Sequence, residues 1–269
     1  MVIDPVSLGL LFLAAVVAGG VNAIAGGGTI LTFALLSAIL PPGPGRLVAA
    51  NVTSKIGLWP GAAAAAWASR RSWAGLPQWA RWLVLPSSAG AVAGVALLRY
   101  LPKESFDAVV PWLILLAAVL FAIQPQLSRP GGSGSQPAAG QPGHLSLAVA
   151  GLQLLVGIYG GYFGAGIGIL MLAALSLLHL GDVHALNAVK NLLAATVNGV
   201  ATLVLTVAAL AGGFEVSWLH VAVLAAGSVA GGAAVATVAQ RLPAKAVRRL
   251  VAIIAFGLAG YHLWREWAG

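Results

Sequence analysis

Two short runs in this chain carry side chains that could hold a small oxyanion. Asn51, Ser54 and Lys55 stand at i, i+3 and i+4 and so share one helix face. Asn187, Lys190 and Asn191 repeat that spacing, and Asn198 continues the stripe two turns on. Amides and an ammonium donate hydrogen bonds, and the ammonium also balances charge. A lysine inside a membrane span is costly and by default marks a substrate or ion pathway. Snorkelling to an interface is the competing reading, but here both lysines stand beside amides. The acidic residues Asp4, Glu104, Asp107, Asp182, Glu215 and Glu266 all fall in loops or at span ends. With no carboxylate at mid-span, a Na⁺ pathway or a carboxylate proton relay is disfavoured and an anion pathway fits. Coupled protons would have to travel on a lysine, on an interfacial His, or with the substrate.

Upstream of each run an apolar segment is interrupted by glycine. "GGVNAIAGGGTILTFALL" breaks at Gly26, Gly27, Gly28 and Thr29, with Asn22 one turn earlier. "GGYFGAGIGIL" breaks at Gly164, Ala165 and Gly166. Glycine is among the poorest helix formers, and lipid cannot satisfy the freed backbone groups. Such breaks are tolerated at membrane depth where backbone lines a cavity or is buried in protein. Each break also starts a new helix, whose orphan N–H groups and positive dipole end favour anions. Thr29 is expected to cap the first of these. Tight helix crossing alone could explain either break; two at equivalent positions, with polar partners downstream, point to a site.

The elements that must carry these residues are membrane helices. Of the 269 residues, 60% are hydrophobic and 7% charged, against about a quarter charged in ordinary soluble domains. Apolar runs near the roughly 20 residues needed to span recur along the chain. The spacing predicts segments over 8–25, 29–40, 47–68, 79–98 and 107–123, then 145–162, 166–180, 184–210, 217–238 and 246–264. The formal charge of +8 is spread over short loops, which is a positive-inside pattern and no nucleic-acid surface. No P-loop, HExxH or nucleophile elbow is present, so an enzyme is a poor fit. His179, Asp182 and His184 are too sparse a set to imply a metal, and no cofactor is expected.

The landmarks occur twice in the same order. "NVTSK" at Asn51–Lys55 is echoed by "NAVKN" at Asn187–Asn191, and "AGAVAGVA" at Ala89–Ala96 by "AGSVAGGA" at Ala226–Ala233. "LPK" at Leu101–Lys103 returns as "LPAK" at Leu242–Lys245. The domain reading is a first transmembrane repeat over 1–124, a flexible Pro/Gly/Ser linker over 125–143 and a second repeat over 144–269. The first two segments of each half are too long for one helix across a core of about 30 Å, so a hairpin or re-entrant pair is expected. An odd number of crossings per half makes the repeats inverted, as in many secondary transporters. Gly90/Gly94 and Gly227/Gly231 have the spacing of close helix packing within a bundle.

At these residues the chain resembles the TauE/SafE family, the sulfite exporter family. The matches are "AGGGTIL", its second copy "GAGIGIL", "NAVKNLLAATVNGVATLVL" and "GGAAVATVAQRLP…RRLVAIIAFGLAGY". The resemblance implies a transporter that moves sulfite, sulfonates or related oxyanions across the cytoplasmic membrane, usually outward. The expected molecule is an all-α polytopic protein of about eight to ten membrane segments, a multi-pass cell-membrane secondary transporter for a small anion. Its site is expected to draw on Asn22, Gly26, Gly27, Gly28, Thr29, Asn51, Ser54, Lys55, Gly164, Gly166, Asn187, Lys190, Asn191 and Asn198. Its partners would be the anion and the lipid bilayer, with proton coupling open. A passive anion channel or a scaffold subunit that moves nothing are the rivals.

Overall fold

The computed structural model describes residues 4–24, 27–68, 76, 78–127, 142–177, 183–238, 252–257, 259–260 and 264. Among them every regular element is a helix: α1 (Pro5–Ile24), α2 (Thr29–Ile39), α3 (Arg46–Ala68), α4 (Gln78–Trp82), α5 (Val84–Tyr100), α6 (Lys103–Leu127), α7 (Pro142–Tyr162), α8 (Ile167–Leu177), α9 (Val183–Leu210) and α10 (Trp218–Val238). Residues 252–257 are also helical; most of the expected tenth segment, and most of the linker, lies outside the described residues. The helices do enter the expected linker at both ends, through Leu127 and from Pro142.

The apolar runs behave as lipid-facing helices. Val6, Leu10, Leu13 and Val17 on α1 are exposed at i, i+4, i+7 and i+11, and Val109, Trp112, Leu116, Val119 and Ile123 form a similar stripe on α6. Contiguous exposed apolar faces of this kind mark contact with membrane or protein. The stretches Pro5–Asn22, Gln78–Tyr100 and Ala188–Leu210 are long and apolar enough to cross a bilayer. The expected single segment 79–98 is divided into α4 and α5. Pro86, in the first turn of α5, has no N–H to carry the ladder back to Trp82.

The α1–α2 segment folds back on itself. A Cβ on Gly28 would collide with the backbone of Ala18, so the start of α2 lies beside α1 and does not continue it. At 11 residues each, α2 and α8 are about 16 Å long, half a bilayer core. Gly164 ends α7 in the left-handed region, φ +77°, and both its N–H and that of Phe163 bond to the Tyr159 carbonyl at 2.9 Å. A glycine past the last helical residue is the ordinary way to satisfy C-terminal carbonyls.

The closest packing joins the first helix of each half to the fourth segment of the other. Gly227 and Gly231 of α10 sit against Phe12, Ala15 and Val16 of α1, and Gly19 sits against Ser228. Gly90 and Gly94 of α5 likewise meet Leu154, Gly157, Ile158 and Gly161 of α7. Both glycine pairs thus serve helix packing inside the bundle. Helix α3 also packs on α10, α5 on α9, and α3 meets α9 across the middle. Beneath the second break Phe33 meets Phe163 edge-on with ring centroids 5.4 Å apart, and Phe106 tilts against Tyr162 at 5.3 Å.

Candidate anion site

Where α3 crosses α9, both helices turn a polar-flecked face to a cavity of about 110 Å³. From α3 come Lys55, Leu58, Trp59, Ala62 and Ala66, and from α9 come Lys190, Asn191, Ala194, Ala195, Asn198 and Thr202. Both sets follow i, i+3, i+4 spacing, so each is one helix face. The ends of the breaks complete the wall: Asn22, Gly27 and Thr29 on one side, Gly164, Ile167 and Gly168 on the other. The lining holds two lysines and no carboxylate. Its volume suits a small oxyanion or several waters, since one water needs roughly 10–15 Å³.

The two short helices aim their N-termini at this space. Thr29 and Gly168 stand in the first turns of α2 and α8, and their N–H groups have no acceptor among the described residues. These are the orphan donors that every helix start carries. Thr29 does not cap α2 as expected; Gly28 is the cap residue, without a side-chain bond. Asn22 supplies the oxygen instead, accepting from the Gly28 N–H at 2.7 Å. The reason is the reversal: the chain folds back beside α1, which brings Asn22 within reach of Gly28.

The two lysines are both 8% exposed, yet they are held differently. The Lys55 ammonium donates to the Gly160 and Gly161 carbonyls, 2.6 Å each. Asn51, one turn back, donates from Nδ2 to the Tyr162 carbonyl at 2.9 Å. Ser54 shares a hydrogen bond of 2.6 Å with Thr32 of α2. Asn51 and Ser54 are fully buried and do not line the cavity, and neither Gly28 nor Gly166 does. Lys190 makes no hydrogen bond or ion pair with any described residue and faces the cavity. Gly26 and the Asn187 side chain lie outside the described residues. Trp59, Thr202 and Gly168 are wall residues beyond the expected set; Trp59 and Thr202 extend the Lys55 and Asn198 faces by one turn each.

The arrangement can bind and orient an anion: an ammonium without a partner among the described residues, two helix N-termini, and amide and hydroxyl side chains, against an apolar wall of Leu58, Trp59, Ile167 and alanines. No solved structure matches the chain. A curated protein from Sinorhizobium sp. named "Probable membrane transporter protein ORF9" is 33% identical over 162 residues, 60% of this chain and 58% of the relative's length. The family model described as "Sulfite exporter TauE/SafE" matches residues 11–262, and the chain therefore belongs to the sulfite exporter TauE/SafE family.

Proposed function

We propose that the chain is a secondary transporter that carries a small anion, sulfite or an organosulfonate, across the cytoplasmic membrane, with export as the direction. The observation that carries this reading is the Lys190 ammonium, without a partner among the described residues, in a cavity faced by the first turns of α2 and α8 and lined by no carboxylate. A buried charge without a partner is several kcal/mol out of pocket unless a counter-ion arrives, and an anion is that counter-ion. Asn191, Asn198, Thr202 and the Thr29 and Gly168 N–H groups are its hydrogen-bond donors. Membership of an exporter family and likeness to a relative named as a transporter support the same reading.

Transport proceeds by alternating access in a molecule built of two inverted repeats. The reciprocal packing of α1 on α10 and α5 on α7 supports the repeats. On this reading the site binds and releases the anion unchanged, and the molecule is a carrier and not an enzyme. Sulfite flux into proteoliposomes tests the reading. A carrier gives saturable uptake that is accelerated by sulfite on the far side. Linear, unaccelerated flux would make the same residues a channel, and no flux of sulfite or sulfonates would remove the function.

A further inference from the structure

We propose that Asn51 and Lys55 are a latch that shuts one end of the cavity, joining two moving bundles that each mix helices of both halves. The proposal rests on the carrier reading above. Glycine interfaces define the bundles. In the first, α1 and α10 touch backbone to backbone through Gly19, Gly227 and Gly231, and α3 joins them where Gly57 meets Leu224 and Gly61 meets Ser228. In the second, α5 and α7 interlock through Gly90, Gly94, Gly157 and Gly161, with α9 against α5. Close-packed surfaces like these switch or hold but do not deform continuously. The seam between the bundles is α3 against α9, where Trp59 rests on Gly199 and the cavity lies.

The latch crosses that divide. Helix α7 ends at Tyr162, so the carbonyls of Gly160, Gly161 and Tyr162 are among the four that its own helix leaves unbonded. All three are taken by α3, two by the Lys55 ammonium and one by Asn51. A cation at a helix C-terminus is also favoured by the dipole. Successive turns of α3 show what the latch separates. Arg46 and Ala49 line a hollow beside Pro41–Pro44 and Glu215–Trp218, whereas Lys55 to Ala66 line the cavity. Asn51 and Ser54 lie between, 1% and 0% exposed. Lys103 and Glu215, 3.7 Å apart, and the Ser217 N–H on Thr53 Oγ1 at 3.4 Å draw the same end together. Asn51 and Lys55 thus act on the path, while Lys190 acts on the anion.

The chain has no cysteine, so Ser54→Cys places a single thiol in the sealed layer. Its reaction with a membrane-impermeant methanethiosulfonate is measured alone, with Lys55→Met and with Lys55→Arg. Loss of charge-assisted bonds predicts a labelling rate about tenfold or more higher with Lys55→Met. Arginine keeps donors on the carbonyls and should keep the thiol protected, and Asn51→Ala should expose it as methionine does. Equal rates in all backgrounds would overturn the latch. Ala91→Cys, buried between α5 and α7, controls for unfolding: if Lys55→Met exposes that thiol too, the opening is not a latch and the proposal fails. Labelling is read without flux, so loss of the carrier reading and loss of the latch are separate results.

Discussion

Replacing Lys190 by glutamine removes a positive charge from the cavity while keeping a polar side chain of similar reach. Lys190 is 8% exposed and has no partner among the described residues, so its ammonium is the group with most to gain from an arriving anion. Two unit charges 4 Å apart attract by about 4 kcal/mol at an effective dielectric of about 20. Desolvation of both takes back part, and hydrogen bonds to charged groups are worth about 1.5–3 kcal/mol net. That predicts sulfite binding weakened roughly ten- to a hundredfold. The assay is thermal unfolding of purified protein against sulfite concentration. At a hundred times its dissociation constant, an anion stabilises the native protein by about 2.7 kcal/mol. A variant with a hundredfold weaker site retains about 0.4 kcal/mol at the same concentration. Without sulfite the variant should be no less stable than the parent, because a buried charge with no partner among the described residues has been removed. Unchanged sulfite stabilisation, or a variant that unfolds without sulfite while binding normally, would refute the reasoning.

Lys55→Met should do the opposite, lowering stability without sulfite by about 1–3 kcal/mol because the Gly160 and Gly161 carbonyls lose their donor; a thermal shift on the same preparation reads it. Gly231→Ala drives a methyl into the backbone of Val16 and should cost about 1–3 kcal/mol, seen as a lower unfolding temperature. Asn22→Ala leaves the Gly28 N–H without an acceptor and should cost about 1–3 kcal/mol, weakening sulfite binding as the break loosens. Asp4 accepts from Ser7 and Val6, and these bonds hold its carboxyl below the usual range. A depressed folded-state value means the contribution is present above the unfolded pKa and is lost as pH falls through the folded one. Asp4→Asn should therefore flatten the acid limb of the stability profile.

The local features were legible because they are local. Helix spans follow from runs of apolar residues, and the Lys190, Asn191 and Asn198 face follows from 3.6-residue periodicity. The glycine breaks announce themselves by composition. What the chain conceals is long-range. Asn51 and Lys55 share a face by spacing, and Lys55 does line the cavity, but the groups that hold both are backbone carbonyls 105 to 111 residues away, and no side-chain pattern marks a carbonyl. Ser54 faces Thr32 across a similarly unmarked contact. Trp59 could have been found by extending the Lys55 face one turn, and Thr202 by extending Asn198. The failed Thr29 cap has the same origin, since the hairpin that brings Asn22 to Gly28 is a matter of packing and not of local preference.

The most direct measurement is crystallographic: the anomalous signal of selenite, a heavier oxyanion of the same shape as sulfite, soaked into crystals of the full chain. The account predicts one strong peak in the cavity, within hydrogen-bond reach of Lys190 Nζ and the first turns of α2 and α8, and a much weaker one in Lys190→Gln at the same soak concentration. A peak elsewhere in the molecule, or an undiminished one in the variant, would contradict it.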